Sequence, residues 1–138
     1  MKDLKKIVTL LLVMLLLFTA CQKKQESLWD NAKYTEDTVF GNGARTLIIL
    51  VQAEDKKVTF TIKTDKKTVG EALAEHSLIE GEIQQYGMYI KSVNGIKADY
   101  DTDKAYWSFN KNGEYMMSGV DTTDFIDGDQ YELIYTKG

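Results

Sequence analysis

Two short apolar runs separated by a stretch that holds four consecutive charged residues set the strongest limit on how this chain can fold. The first is Leu47-Ile48-Ile49-Leu50-Val51; in the second, Val58, Phe60 and Ile62 alternate with Thr59, Thr61 and Lys63. Alternation with a period of two puts successive side chains on opposite faces, as a half-buried strand requires and a helix does not. Glu54-Asp55-Lys56-Lys57 supplies a polar turn between the runs, so residues 46–63 read as a β-hairpin.

The chain beyond the hairpin narrows the class. Thr68 opens a helix, with Glu71 three residues on as in a capping box and Val69, Ala72 and Leu73 as its apolar face before His76. Tyr86 to Val93 reads as a strand, followed by Asn94-Gly95, a strong turn signal. Ala105 to Phe109 is another strand, with Asn112-Gly113 turning the chain again. A final strand alternates Tyr131, Leu133 and Tyr135 with Glu132, Ile134 and Thr136. One helix among several strands, on one face of a mainly antiparallel sheet, makes the fold α+β. The order also fits a β-grasp, in which the sheet curls around the helix.

The other end of the chain carries an address. Lys2, Lys5 and Lys6 precede an apolar stretch, Ile7 to Phe18, broken only by Thr9. As a helix it would span about 18 Å, short of the roughly 30 Å hydrocarbon core, so it reads as a signal-peptide core and not a stable membrane span. Phe18-Thr19-Ala20-Cys21 resembles the lipobox at which bacterial lipoproteins are cut and lipidated on the new terminal cysteine. Cys21 is the single cysteine, which also excludes a disulfide framework. The expected division is a signal peptide over 1–20, a lipidated Cys21 and polar tether over 21–43, and a folded domain over 44–138. Trp29, Tyr34, Val39 and Phe40 are too apolar for a pure spacer, so the later tether is expected to dock. The protein is then expected on the extracytoplasmic side of the cell membrane, held by lipid.

Charge excludes some functions. With 17 Lys and Arg against 21 Asp and Glu, net charge is −4, which argues against nucleic acid as a partner. A single His makes a His-based triad or zinc site a poor reading. Ser118 has no nucleophile elbow and no glycine-rich phosphate loop precedes the helix, so no enzymatic activity is expected.

The ordered set Tyr86 to Gly95, Tyr106-Trp107-Ser108-Phe109, Gly113, Gly119-Val120 and Asp127-Gly128-Asp129 resembles the C-terminal β-domain of transcobalamin and intrinsic factor, the vitamin B12 carriers. It is closer still to a bacterial family of small surface proteins sharing that domain. The resemblance covers about residues 44–137. It implies a ligand face built from apolar side chains, with Ile90, Phe109 and Met116 at matching positions and Tyr115 and Met117 beside the last. In the carriers a helical barrel covers the other side of cobalamin; about 95 residues cannot also hold it. A helical partner or a membrane importer is therefore implied.

The residues argue in the same direction. A corrin ring is a broad apolar disc with amide arms, gripped by aliphatic and aromatic side chains. Tyr115-Met116-Met117 stands between Gly113 and Gly119, an apolar run suited to an exposed platform. Packing in the core beneath the loop is the other reading for each of these residues. Asp99, Asp101 and Asp103 resemble the opening of a calcium loop, but Lys104 stands where Gly is needed and Asn110 where Glu is needed. They read either as a weak Ca²⁺ site or as a solvated acidic turn. Two functions stand: a surface lipoprotein that binds a cobalamin-like or other large apolar ligand and feeds an uptake system, or an extracellular protein-interaction or calcium-binding module without a small ligand.

Overall fold

In the computed structural model, residues 3, 5, 6 and 26–138 are described; the apolar stretch 7–18 and Cys21 lie outside them. A strand β1 (Thr38–Gly41) precedes the expected hairpin, β2 (Arg45–Ala53) and β3 (Lys56–Thr64). The hairpin turn is tighter than its sequence suggests: Ala53 already pairs with Lys56, leaving Glu54-Asp55 alone in the turn. Leu47, Ile49, Val51 and Ala53 are fully buried from β2, as are Phe60 and Ile62 from β3. Burial of each large side chain contributes about 1.5–3 kcal/mol before entropy is counted.

Helix α1 (Val69–Glu75) follows. Thr68 Oγ1 accepts from the Glu71 N–H at 3.1 Å, as expected. The return bond differs: the Glu71 carboxylate takes the Lys67 N–H at 3.3 Å, not that of Thr68. Val69, Ala72 and Leu73 are fully buried, and His76 ends the helix with its ring 5.1 Å from that of Phe40.

The remaining elements are β4 (Ile79–Gln84), β5 (Gly87–Val93), β6 (Ile96–Lys97), α2 (Tyr100–Asp103), β7 (Ala105–Lys111), β8 (Glu114–Tyr115) and β9 (Gln130–Lys137). They complete a six-stranded sheet, β1-β3-β2-β9-β7-β8, and a three-stranded sheet, β4-β5-β6. The fold is α+β, mostly strand with one main helix. β2 runs parallel to β9 and β1 parallel to β3; the other pairs are antiparallel. The two sheets share one core, and the Trp107 indole N–H joins them by donating to Ile96 O at 3.0 Å.

The segment expected as a tether is part of the fold from Ser27 onward. Ser27 caps a 3-10 turn, Leu28–Asn31, reciprocally with Asp30. Trp29 is buried and its indole N–H donates to Ala53 O at 2.9 Å. Tyr34 exchanges two hydrogen bonds with the Asn94 side chain, at 2.9 and 2.8 Å. Tyr34, Phe40 and Phe60 then meet edge to face, 5.0–5.9 Å between centroids. Aromatic side chains carry about 150–250 Å² each, and docking this arm is what removes that surface from water.

Candidate functional site

Where the three-stranded sheet meets the β7–β8 end of the larger one, an open groove of about 550 Å³ forms. β5 lends it Met88, Tyr89 and Ile90, β7 lends Trp107 and Phe109, α2 lends Tyr100, and residues 115–120 complete it. Its lining contains no charged side chain. Ile90, Trp107, Phe109 and Val120 are buried and make the floor. The rim is the opposite: Tyr86 is 88% exposed, Met117 94%, Tyr115 66% and Tyr100 48%. Ile83 stands opposite Met88 in the strand register and is also exposed, extending the rim along β4. Five of the chain's 8 tyrosines line this one groove. Isolated exposed apolar residues are ordinary, whereas a contiguous patch over a buried floor marks a binding surface.

Local chemistry explains why the groove holds its shape. Asn112 and Gly113 take positive φ, 53° and 79°, as a tight hairpin turn demands. Pairing then runs past β8, with the Met116 N–H donating to Phe109 O at 2.9 Å. The loop beyond is pinned by the Thr123 hydroxyl, which donates to Gly119 O at 2.7 Å. Gly87 and Gly119 bring backbone against backbone: a Cβ on either would sit 3.1 Å from the other's Cα. Asp121 completes this clamp, its Oδ1 accepting the Met88 N–H at 2.8 Å. Asp121→Ala leaves that donor without its partner and should lower unfolding free energy by about 1–3 kcal/mol in urea titration.

Tyr89 and Tyr100 also face an adjoining hollow of about 680 Å³ lined by Glu80, Glu82, Lys91, Ser92 and Lys97 among others. Lys91 Nζ lies 2.7 Å from Glu82 Oε1, and this hydrogen bond together with the opposite charge holds the ammonium above its usual pKa. An apolar floor thus passes directly into a shelf of donors and acceptors.

The five residues singled out in the sequence, Ile90, Phe109, Tyr115, Met116 and Met117, all line the groove. Their roles divide. Ile90 and Phe109 are core residues, and Phe109 stacks on Tyr131 at 5.3 Å. Met116 is half-buried; Tyr115 and Met117 project into solvent. Sequence reasoning missed Tyr86, Met88, Tyr89, Tyr100 and Trp107 as groove residues; the tyrosines flanking Met88 were the available signal.

The acidic tract is built into a helical turn. Asp99 Oδ1 accepts the Asp101 N–H at 2.9 Å, and Asp103 Oδ2 accepts the Asp99 N–H at 3.2 Å. Both carboxylates cap the helical turn α2, which ends at Lys104 with φ 51°. Among the described residues no three His, Cys, Asp or Glu side chains gather to hold a metal ion.

The model of a domain of unknown function, DUF4430, matches residues 66–137. Among solved structures, a "putative metal binding protein" from Ruminococcus gnavus is similar over 69% of this chain and 99% of its own, with 31% identity and a TM-score of 0.65. Haptocorrin in complex with Cbi is similar over 67% of this chain but 25% of its own, with 19% identity and a TM-score of 0.50. That second likeness is one of fold, and this chain spans about a quarter of haptocorrin's length. No curated protein sequence matches.

Proposed function

The chain belongs to the DUF4430 family, and from that premise we propose that it is a surface binding module whose groove grips one face of a large, flat, mainly apolar ligand of the cobalamin class. The observation that carries this reading is the uncharged groove itself, with a buried aromatic floor and an exposed Tyr and Met rim. Tyrosine offers rigid contact area with a polar tip, and Met adapts to an irregular face. The polar hollow beside Tyr89 and Tyr100 suits amide arms. The fold likeness to haptocorrin, seen holding Cbi, supports the same class.

In this reading Cys21 carries lipid and the module sits outside the cytoplasmic membrane, passing its ligand to an importer. Among the described residues no helix is long and apolar enough to cross a membrane. The groove is open, so one ligand face stays wet until a helical partner or the importer covers it. The module binds; it does not catalyse.

A second reading, a metal-binding module, is favoured by the Ruminococcus gnavus protein's name. It lacks a carboxylate or imidazole cluster among the described residues. One experiment weighs both: titrate the full chain with cobinamide and cyanocobalamin, following absorbance, in Ca²⁺ and again in chelator. Saturable binding of about micromolar strength, indifferent to Ca²⁺, is expected. Absence of saturation with both corrinoids overturns capture by this chain alone, and dependence on Ca²⁺ favours the second reading.

A further inference from the structure

The groove gathers sulphur as well as aromatic carbon. Met88, Met116 and Met117 are the three methionines among the described residues, and all three line it. Met88 and Met116 are half-buried against the core, and each backbone is fixed independently. The Asp121 carboxylate holds the Met88 N–H at 2.8 Å, while the Met116 N–H is bonded to Phe109 O at 2.9 Å. Met88 belongs to β5 and Met116 follows β8, so the two methionines come to one groove from separate parts of the fold. Met117, 94% exposed, brings a third to the mouth on an unbranched, movable stem.

Thioether sulphur is a neutral, soft donor, useless to Ca²⁺ or Mg²⁺ and selective for Cu(I) among biological cations. The lining offers no carboxylate, imidazole or thiolate; its oxygen donors are the neutral hydroxyls of tyrosines and Ser118, hard groups that suit a soft ion poorly. The faces of Tyr and Trp rings attract a monovalent cation further when water is excluded. We propose that this groove is a thioether site for a soft monovalent metal ion, Cu(I), with Met88 and Met116 as the fixed ligands and Met117 closing over them. The proposal goes beyond corrinoid capture and does not rest on it, because it needs only the three sulphur donors and no flat apolar occupant.

The test uses the full chain carrying Cys21→Ser, which removes its one thiol. Ag(I), a redox-inert stand-in, is titrated calorimetrically in chloride-free buffer; Cu(I) is then measured by competition with bicinchoninate under ascorbate. Met88→Leu or Met116→Leu should each weaken binding about tenfold or more, at least as much as losing a ligand's outer support costs. The triple Leu chain should lose the site and still unfold in urea at nearly the parental midpoint, because Leu keeps these positions apolar and close in volume. Equal Ag(I) and Cu(I) affinity in the triple and parent chains overturns the proposal. Should a Leu chain not fold, the ¹³C-methyl resonances of Met88, Met116 and Met117 in the parent decide: joint shifts at one equivalent of Ag(I) support it, and unmoved resonances overturn it.

Discussion

A chain carrying Tyr115→Ala and Met117→Ala should lose about a hundredfold or more in cobinamide affinity and still unfold in urea at nearly the parental midpoint. Both side chains project into solvent at the groove's rim, so truncation removes contact area from a ligand and little from the core. Contact residues of this kind contribute about 1–2 kcal/mol each when a ligand covers them, and every 1.4 kcal/mol is roughly tenfold. Surface substitutions away from special features usually stay within about 0.5 kcal/mol of parental stability. Phe109→Ala would be a poor substitute, because Phe109 is buried against Tyr131 and its loss should cost about 3–5 kcal/mol of stability. Unchanged affinity in the double variant, with the fold intact, would remove the rim from the binding surface.

Trp29→Ala should lower stability by about 3–5 kcal/mol in urea denaturation. The indole is buried, and its N–H satisfies Ala53 O at the β2–β3 turn. A chain begun at residue 44 loses more: Trp29, the two partners of Asn94, the Tyr34–Phe40–Phe60 cluster and the whole of β1. Against a total of about 5–15 kcal/mol for a domain of this size, that truncation should not fold. A cooperative transition at the parental midpoint in either variant would show that the arm is a passenger.

The sequence made local order legible. The 46–63 hairpin followed from alternation, the helix from Thr68, and both Asn-Gly turns from the positive φ that only such pairs adopt readily. β4 escaped because Glu80, Gly81, Glu82, Ile83 and Gln84 are all exposed, so no buried alternation marks it. Its strand character comes from pairing with β5, bulge included at Glu80/Gly81. The parallel pairs β1–β3 and β2–β9 join segments distant in sequence, which no local pattern reports.

The groove was legible in the same uneven way. Tyr115, Met116 and Met117 announced themselves as an apolar run between glycines, and Ile90 and Phe109 came from family resemblance. Nothing local distinguishes the buried floor from the exposed rim, because that depends on how β5 seats against β7. Tyr86 and Tyr100 each stand among polar residues, and a single tyrosine there carries no periodic signal. The three acidic residues before β7 carry two meanings at once: their spacing suits a cation, and it serves equally to satisfy the free amides of a helical turn.

The groove's ownership by two sheets has a thermodynamic consequence. Met88 to Ile90 belong to one sheet and Phe109 to the other, so an occupant bridges pieces that otherwise meet through the Gly87–Gly119 contact, the Asp121 clamp and the shared core. A bound molecule acts as a cross-brace, and its free energy of binding is added to that of folding, about 2.7 kcal/mol at a hundred times its dissociation constant. The β4–β5 hairpin, five of whose six β4 residues face solvent, would gain most, its amides exchanging with water more slowly when the groove is filled. Occupancy would then be written into the rigidity of a strand that buries only Ile79 of its own residues.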